Sequence, residues 1–312
     1  MKHSYLVTGG FGLIGSTLIN SLDGDVVILS RTRKNEERVI RQDVKILLKD
    51  LNSLRVNDLK NIDIIYHCAG TVDNYHVLTD PYIDVKTNIN GTINLLECCR
   101  KLQIPPKIIC LSTFFVYGNE YTRTKNPINE DSKTDPLALY PITKLASESI
   151  IKLYSRLFNI PYLICRLTNV YGEKEDFSNS KKGALNFLIM KAIKGEKINV
   201  YSGGEYYRDY IFVKDVVSAL QFLEEKSVND TFLIGYGKPI LFKDIISYLH
   251  QLTDKKSEIG QIDPPEFHKI VGITDFIADT SKINSLGWFP SIDYKEGLKI
   301  IVERYKSLLK HR

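Results

Sequence analysis

Apolar positions along the chain fall into short β-branched runs, each followed by a longer stretch in which apolar residues recur every three or four positions. The runs read SYLVTG, DVVILS, VKILLKDL, IDIIYHCAG, KIICLST and PYLICRLT; the stretches between them include LIGSTLINSL, INGTINLLECCRKL and YPITKLASESIIKLYSRL. The first pattern is that of buried strands and the second that of amphipathic helices. Their alternation predicts βαβ units, whose crossover helices cover both faces of a parallel sheet. The expected fold is α/β, a doubly wound parallel sheet with a smaller C-terminal α/β lobe. The rhythm breaks at the polar segment GEKEDFSNSKKG (172–183) and again after about residue 238. Residues 1–169 with about 208–237 are therefore assigned to the sheet domain, and about 170–207 with 238–312 to the second lobe.

Composition narrows the class without changing that picture. With 312 residues, 43% hydrophobic and 25% charged, the chain is long enough to bury a sizeable core. The net charge of +5 comes from 42 basic and 37 acidic residues spread along the sequence, which suits anionic ligands but not a nucleic-acid stripe. No run approaches the roughly 18 apolar residues of a membrane span, and MKHSYLVTGG enters a strand with no leader, so a cytoplasmic protein is expected. Cys68, Cys98, Cys99, Cys110 and Cys165 sit in apolar segments without C-x-x-C spacing and are expected as buried thiols, with no metal site.

Candidate chemistry begins at VTGGFGLIG, where Gly9, Gly12 and Gly15 follow the first strand and open the first helix. Glycines at this spacing permit a tight turn, close approach of backbone N–H groups to a pyrophosphate and close helix–strand packing. The sheet domain is thus expected to be of Rossmann type and to bind NAD or NADP. At the end of the second strand, where a carboxylate would hold the ribose of NAD, the chain reads VVILSRTRKNEE. Ser30 and Arg31, with Arg33 and Lys34 nearby, favour the 2′-phosphate of NADP, with NAD as the alternative. The competing reading is a solvated basic loop with Arg31 turned away or stacked on adenine. Asp50, after the third strand, is either an adenine contact or a surface carboxylate.

YPITK places Tyr140 and Lys144 four residues apart at the start of a helix, with Pro141 suited to its first position. Four residues make one turn, so both side chains face the same way. A tyrosine ionises near pH ~10. An ammonium one turn away and a positive nicotinamide ring are expected to favour the phenolate and make Tyr140 an acid or base near neutrality.

Together with HCAG (67–70), NINGT (88–92), STFFVYG, RLTNVYG (166–172), GGEYYRDYIFVKDV (203–216) and LGWFP (286–290), these motifs resemble one family over essentially the full length. It is the extended short-chain dehydrogenase/reductases, specifically the NAD(P)-dependent nucleotide-sugar epimerases and dehydratases. The resemblance implies that Leu13, Ile14, Leu51, Leu111 and Leu167 line the cofactor, with Cys68, Ala69 and Gly70 at the end of strand four. It implies that Asn88 contacts the cofactor and braces the catalytic helix, and that Lys144 holds the nicotinamide ribose. On the sugar-nucleotide side it implies Phe114, Asn169, Leu185, Asn199, Tyr201 and Arg208, the last clamping a diphosphate. HCAG reads equally as a plain strand end, and Asn169 as a turn residue. His76 and His268 are expected to be surface residues.

Thr113, three residues before Val116, occupies the position of the family's catalytic Ser or Thr, which would share the sugar oxygen with Tyr140. Dehydratases and uronic acid decarboxylases of the family carry a Glu just after that residue, because elimination needs a further acid or base. Phe114 and Phe115 transfer no protons, and one of them is expected to pack in the core while the other faces the sugar. What is left is oxidation and reduction at C4 of a nucleotide-diphosphate sugar. Ser30 and Arg31 favour NADPH-dependent reduction of a 4-keto-6-deoxysugar nucleotide; the alternative is a 4-epimerase with tightly bound NAD. A 4,6-dehydratase and a non-catalytic dinucleotide-binding scaffold stand behind these. The resemblance also implies a homodimer through the two helices starting at INGT and YPIT, whose apolar residues could equally pack only on the sheet.

Overall fold

The β-branched runs form the strands expected of them. In chain order come β1 (His3–Thr8), α1 (Leu13–Ile19), β2 (Gly24–Ser30), β3 (Val44–Leu48), β4 (Ile64–His67), α2 (Tyr82–Asp84) and α3 (Gly91–Cys99). Then follow β5 (Lys107–Thr113), α4 (Glu120–Thr124), α5 (Leu139–Phe158), β6 (Tyr162–Leu167), β7 (Asn169–Tyr171), α6 (Ala184–Lys194), β8 (Ile198–Tyr201), β9 (Tyr207–Arg208), β10 (Tyr210–Phe212), α7 (Val213–Lys226) and β11 (Asp230–Ile234). This computed structural model describes residues 2–174 and 184–310, so most of the polar segment 172–183 lies outside the described residues.

Seven strands make one sheet in the order β11-β6-β5-β4-β1-β2-β3. The pairs from β6 through β3 are parallel. Near-continuous burial along β5 and β6 follows from helices covering both faces. From β1 the chain adds β2 and β3 to one side and β4, β5 and β6 to the other. Crossovers leaving β1 and β4 therefore diverge, opening a crevice at the carboxyl ends of these strands. Between α2 and α3 the chain makes a π-helical turn, Val85–Asn90, a local widening often found at functional sites.

The chain divides into two compact units. The first comprises residues 1–116, 138–167 and 217–232, and the second 117–137, 168–216 and 233–312. Leu6, Leu29, Ile65, Leu95, Leu96 and Ile108 lie in the first unit's core. Leu185, Ile189, Phe212, Ile245, Leu249 and Ile301 lie in the second's. Segment 117–137 differs from its expected place in the sheet domain. Ile128 bridges Ala278, its N–H donates to the Ile277 carbonyl at 2.8 Å, and Glu130 accepts from Leu233 N–H at 2.7 Å, which ties the segment to the second unit. No helix among the described residues is long and apolar enough to cross a membrane.

Candidate active site

The loop after β1 is shaped by contacts that only glycine allows. Gly9 has φ +66°, and a Cβ there would lie 3.0 Å from the Ala69 backbone, so the exits of β1 and β4 touch. Thr8 Oγ1 accepts from Ala69 N–H at 3.0 Å and makes a 2.9 Å hydrogen bond with His67 Nδ1, joining the same two exits. Gly12 caps α1 without a side-chain hydrogen bond. Backbone N–H groups of the first turn, including Leu13 and Ile14, thus have no capping side chain. That is the arrangement that receives a pyrophosphate. The loop fits a dinucleotide. A Cβ on Gly15 would stand 2.6 Å from Gly9 O and 2.9 Å from Gly10 Cα, so Gly15→Ala must push the loop open. The expected result is an NAD affinity lower by about tenfold or more, measured by calorimetry, with the melting curve nearly unchanged.

At the end of β2, Ser30 Oγ donates to the Thr32 carbonyl at 2.7 Å. Asp50 caps the short 3-10 turn Leu51–Ser53, accepting from Asn52 N–H and Nδ2–H at 2.8 Å. Burial alone would raise its pKa, but those hydrogen bonds and the charges of Arg31 and Lys86 hold it below the usual carboxylate value. Arg31 thus has an anionic neighbour of its own. Leu51 packs under the start of α3, where a Cβ on Gly91 would meet its Cδ2 at 2.7 Å. Leu111 and Leu167 are buried at the ends of β5 and β6.

Thr113 ends β5 and faces the first turn of α5, where Tyr140 and Lys144 follow one turn apart. All three are buried. The helix begins at Leu139, which puts Pro141 inside the first turn, where no N–H partner is lost. Burial pushes Tyr140 up to about 12, an effect that the neighbouring Thr113 side chain only partly offsets. The Lys144 ammonium is directed to the Gly70 turn, where a Cβ would lie 3.6 Å from Lys144 Nζ and 3.3 Å from Asn88 Oδ1.

The structure separates the roles of the two aromatic rings. Phe114, expected at the sugar, is only 2% exposed. Its ring is 4.4 Å from that of Phe115, and Phe115 in turn stands edge-on to Tyr140 at 6.5 Å. A 3-10 turn at Phe114–Tyr117 sends the first ring into the core and leaves the second beside the phenol.

Asn88 lies in the π-helical turn, and its amide is fully engaged. Nδ2 donates to Thr71 Oγ1 at 2.8 Å and to Thr143 Oγ1 at 2.9 Å, while Oδ1 accepts from Thr71 N–H at 3.0 Å. Its carbonyl accepts from Ser147 Oγ at 2.7 Å and from Thr92 Oγ1 at 2.5 Å. Thr143 and Ser147 flank Lys144 on α5, so the amide and carbonyl of one residue fix the catalytic helix. One layer behind, Arg166 makes a buried ion pair with Glu148 at 2.7 Å, and Ser112 Oγ donates to the same carboxylate. His67, also hydrogen-bonded to Thr92 Oγ1, is lowered to about 3 by burial and then by the Lys144 charge, and is neutral. Cys68 is pushed up to about 12 by burial, so its thiol is inert. Sequence reasoning missed Thr71, Thr143, Ser147, Glu148 and Arg166. A signal was present for three of them, since positions 143, 147 and 148 fall about one and two turns from Tyr140 along the helix.

In the second unit, Arg208 stacks over Tyr206 with its guanidinium carbon 4.7 Å from the ring centroid, and its Nη atoms donate to the carbonyls of Ile273 and Thr274. Asn169 donates through Nδ2 to Asp209 O at 2.9 Å. Asp209 is fully buried and accepts from Thr168 Oγ1, Tyr236 N–H and Gly237 N–H at 2.7–2.8 Å. Asn199 is exposed on β8. Tyr201 ends that strand with its ring 5.4 Å from His268. Leu185 belongs to this unit's core and is 4% exposed, because the apolar face of α6 packs inward. That corrects its expected place at the substrate. His268 is partly buried, and burial and the Arg208 charge lower its pKa.

A glycine-looped doubly wound sheet carrying Thr113, Tyr140 and Lys144 at its carboxyl edge defines a Rossmann-fold enzyme of the extended short-chain dehydrogenase/reductase class. The chain belongs to the NAD dependent epimerase/dehydratase family, whose model matches residues 5–235. It is 31% identical over 310 residues to a Methanocaldococcus jannaschii protein that carries a provisional UDP-glucose 4-epimerase name, covering 97% of this chain and 98% of that one. The crystal structure of UDP-glucose 4-epimerase with UDP-glucose from Thermotoga maritima superposes with a TM-score of 0.90 at 27% identity, covering 98% and 99% of the two chains. UDP-glucuronic acid 4-epimerase from Bacillus cereus, in complex with UDP-glucuronic acid and NAD, gives 0.87 at 25% identity, again covering 98% and 99%.

Proposed function

We propose that the protein is an NAD-dependent 4-epimerase of a UDP-sugar. One observation carries this reading: Thr113 at the end of β5 meets the first turn of α5 with Tyr140 and Lys144, and the two positions after Thr113 are aromatic. The set therefore offers acid–base chemistry at one sugar oxygen, and Phe114 and Phe115 add no acid or base for elimination. NAD, held by the loop at Gly9–Gly15 and the turn at Cys68–Gly70, would supply a two-electron acceptor for C4 that returns what it takes. Tyr140 removes the proton of the C4 hydroxyl and later restores it. Thr113 hydrogen-bonds the same oxygen and keeps it in reach. Lys144 stands beside Gly70 and favours the phenolate once the site is filled. Restoring hydrogen to the opposite face requires the sugar to turn. The Phe115 ring offers a flat apolar wall that prefers neither orientation.

The named relatives are 4-epimerases, and the B. cereus neighbour holds NAD. They support the alternative from the sequence over the NADPH-dependent reductase. The structure supplies a reason for NAD as well: the Ser30 hydroxyl is engaged by Thr32 O, and Asp50 answers the Arg31 charge. In the second unit we assign Arg208 to the UDP diphosphate, with its stacked guanidinium still charged. Exposed Ile142, Leu153 and Leu157 on α5 support the homodimer.

Mass spectrometry of the denatured protein should recover about one NAD per chain, and UDP-glucose or UDP-glucuronic acid should convert to its 4-epimer without added cofactor. NADPH consumption with a 4-keto sugar nucleotide, in a protein that interconverts no epimers, would overturn the proposal.

A further inference from the structure

Between the glycine loop and the catalytic helix runs a chain of buried groups that the reaction above does not use. His67 ends β4, and Thr8 and Thr92, on either side of its ring, are buried with it. Thr8 Oγ1 lies 2.9 Å from Nδ1 and Thr92 Oγ1 lies 3.0 Å from Nε2. The outer partners fix every proton along this chain. The Asn88 carbonyl can only accept, so the Thr92 hydroxyl donates to it at 2.5 Å and must itself accept from Nε2. Ala69 N–H donates to Thr8 Oγ1 at 3.0 Å, which leaves the Thr8 proton for Nδ1. The neutral ring therefore carries its proton on Nε2 and its acceptor on Nδ1.

The same two segments meet a second time four residues on, where Thr71 exchanges two hydrogen bonds with the Asn88 amide, at 2.8 and 3.0 Å. The Cys68–Gly70 turn is thus slung between two attachments to one helical turn, His67 to Thr92 and Thr71 to Asn88. Asn88 in turn holds Thr143 and Ser147 of α5.

Given NAD on the Cys68–Gly70 turn and Tyr140 as the acid–base group, we propose that His67 is a positioning residue whose Nε2-protonated imidazole sets the distance between the dinucleotide turn and the catalytic helix. Imidazole is rigid and holds its donor and acceptor at separate edges, so β1, β4 and the Asn88 turn keep one spacing. Oxidation at C4 needs the proton acceptor on the helix and the two-electron acceptor on the turn in one geometry, and a displacement of about 1 Å can cost about 100-fold.

Two substitutions split the bridge. In His67→Asn the amide oxygen replaces Nδ1 and keeps the Thr8 bond, but the side chain stops short of Thr92. In His67→Gln the amide nitrogen replaces Nε2 and keeps the Thr92 bond. His67→Asn should lower kcat for epimer interconversion about 10- to 100-fold with little change in KM for the UDP-sugar, whereas His67→Gln should stay close to the parental kcat. Thr92→Val should match His67→Asn and serves if that variant folds poorly; the double variant should lose no more than either alone, because both break one bond. Amide hydrogen exchange reads the same coupling without turnover, and over residues 143–147 it should quicken in His67→Asn and Thr92→Val but not in His67→Gln. In the histidine ¹⁵N spectrum, the signal absent from His67→Gln should show a protonated Nε2 and a bare Nδ1 throughout about pH 5 to 9. A protonated Nδ1, or stability lost alike in all variants with kcat and exchange unchanged, would overturn the proposal. Quickened exchange in a protein that interconverts no epimers would sink the epimerase reading alone. Interconversion at the parental rate in both His67→Asn and Thr92→Val would sink this one alone.

Discussion

Tyr140→Phe should lower the rate of epimer interconversion by about 100- to 10,000-fold, the range for removing a positioned acid–base group. The change deletes one oxygen from a residue 7% exposed, so the ring still fills its place beside Phe115. Retained NAD should stay close to one per chain, since the glycine loop and the Gly70 turn are untouched. Stopped assays of both epimers, with NAD counted in the same sample, check the two halves together. A variant turning over at the parental rate would remove Tyr140 from the chemistry.

The second large effect is on stability. Glu148 and Arg166 have side chains only 2% and 6% exposed and are bonded through Arg166 Nε and Nη2. Removing one partner leaves a buried charge uncompensated, a loss of about 3–5 kcal/mol. Arg166→Leu should therefore show a sharply lower urea midpoint, as should Glu148→Leu. The double variant should be less destabilised than the sum of the two, because an apolar pair of similar volume replaces the ion pair. Additive losses would mean that the two side chains act independently. Ser112 binds the same carboxylate and precedes Thr113 on β5, so the weakened variants should also lose some turnover.

Much of the site was legible along the chain. Gly9, Gly12 and Gly15 could be read because a tight turn against a neighbouring backbone excludes any Cβ, which restricts the residue itself. Tyr140 and Lys144 could be read because one helical turn is a local distance. The absence of a carboxylate after Thr113 needed no coordinates either. The missed features are those in which the partner is remote. His76 reads as a surface residue until α2 brings Asp84 within 3.0 Å of it. Leu185 and Phe114 look like ligand contacts until the core around them is seen. Asp50 could be read from the sequence as an adenine contact or a surface carboxylate, and only the fold brings its charge to act with Arg31.

Periodicity and short-range spacing thus determined the α/β class, the glycine loop and the placing of Tyr140 and Lys144 one turn apart, because strands, helical turns and glycine turns are built from interactions within a few residues. Tertiary structure decided which aromatic stands beside Tyr140, where Lys144 directs its charge and which buried groups hold the helix that carries them both. Those outcomes depend on burial and on fields summed over groups far apart in the chain, and no local pattern encodes a dielectric or a neighbour from another crossover.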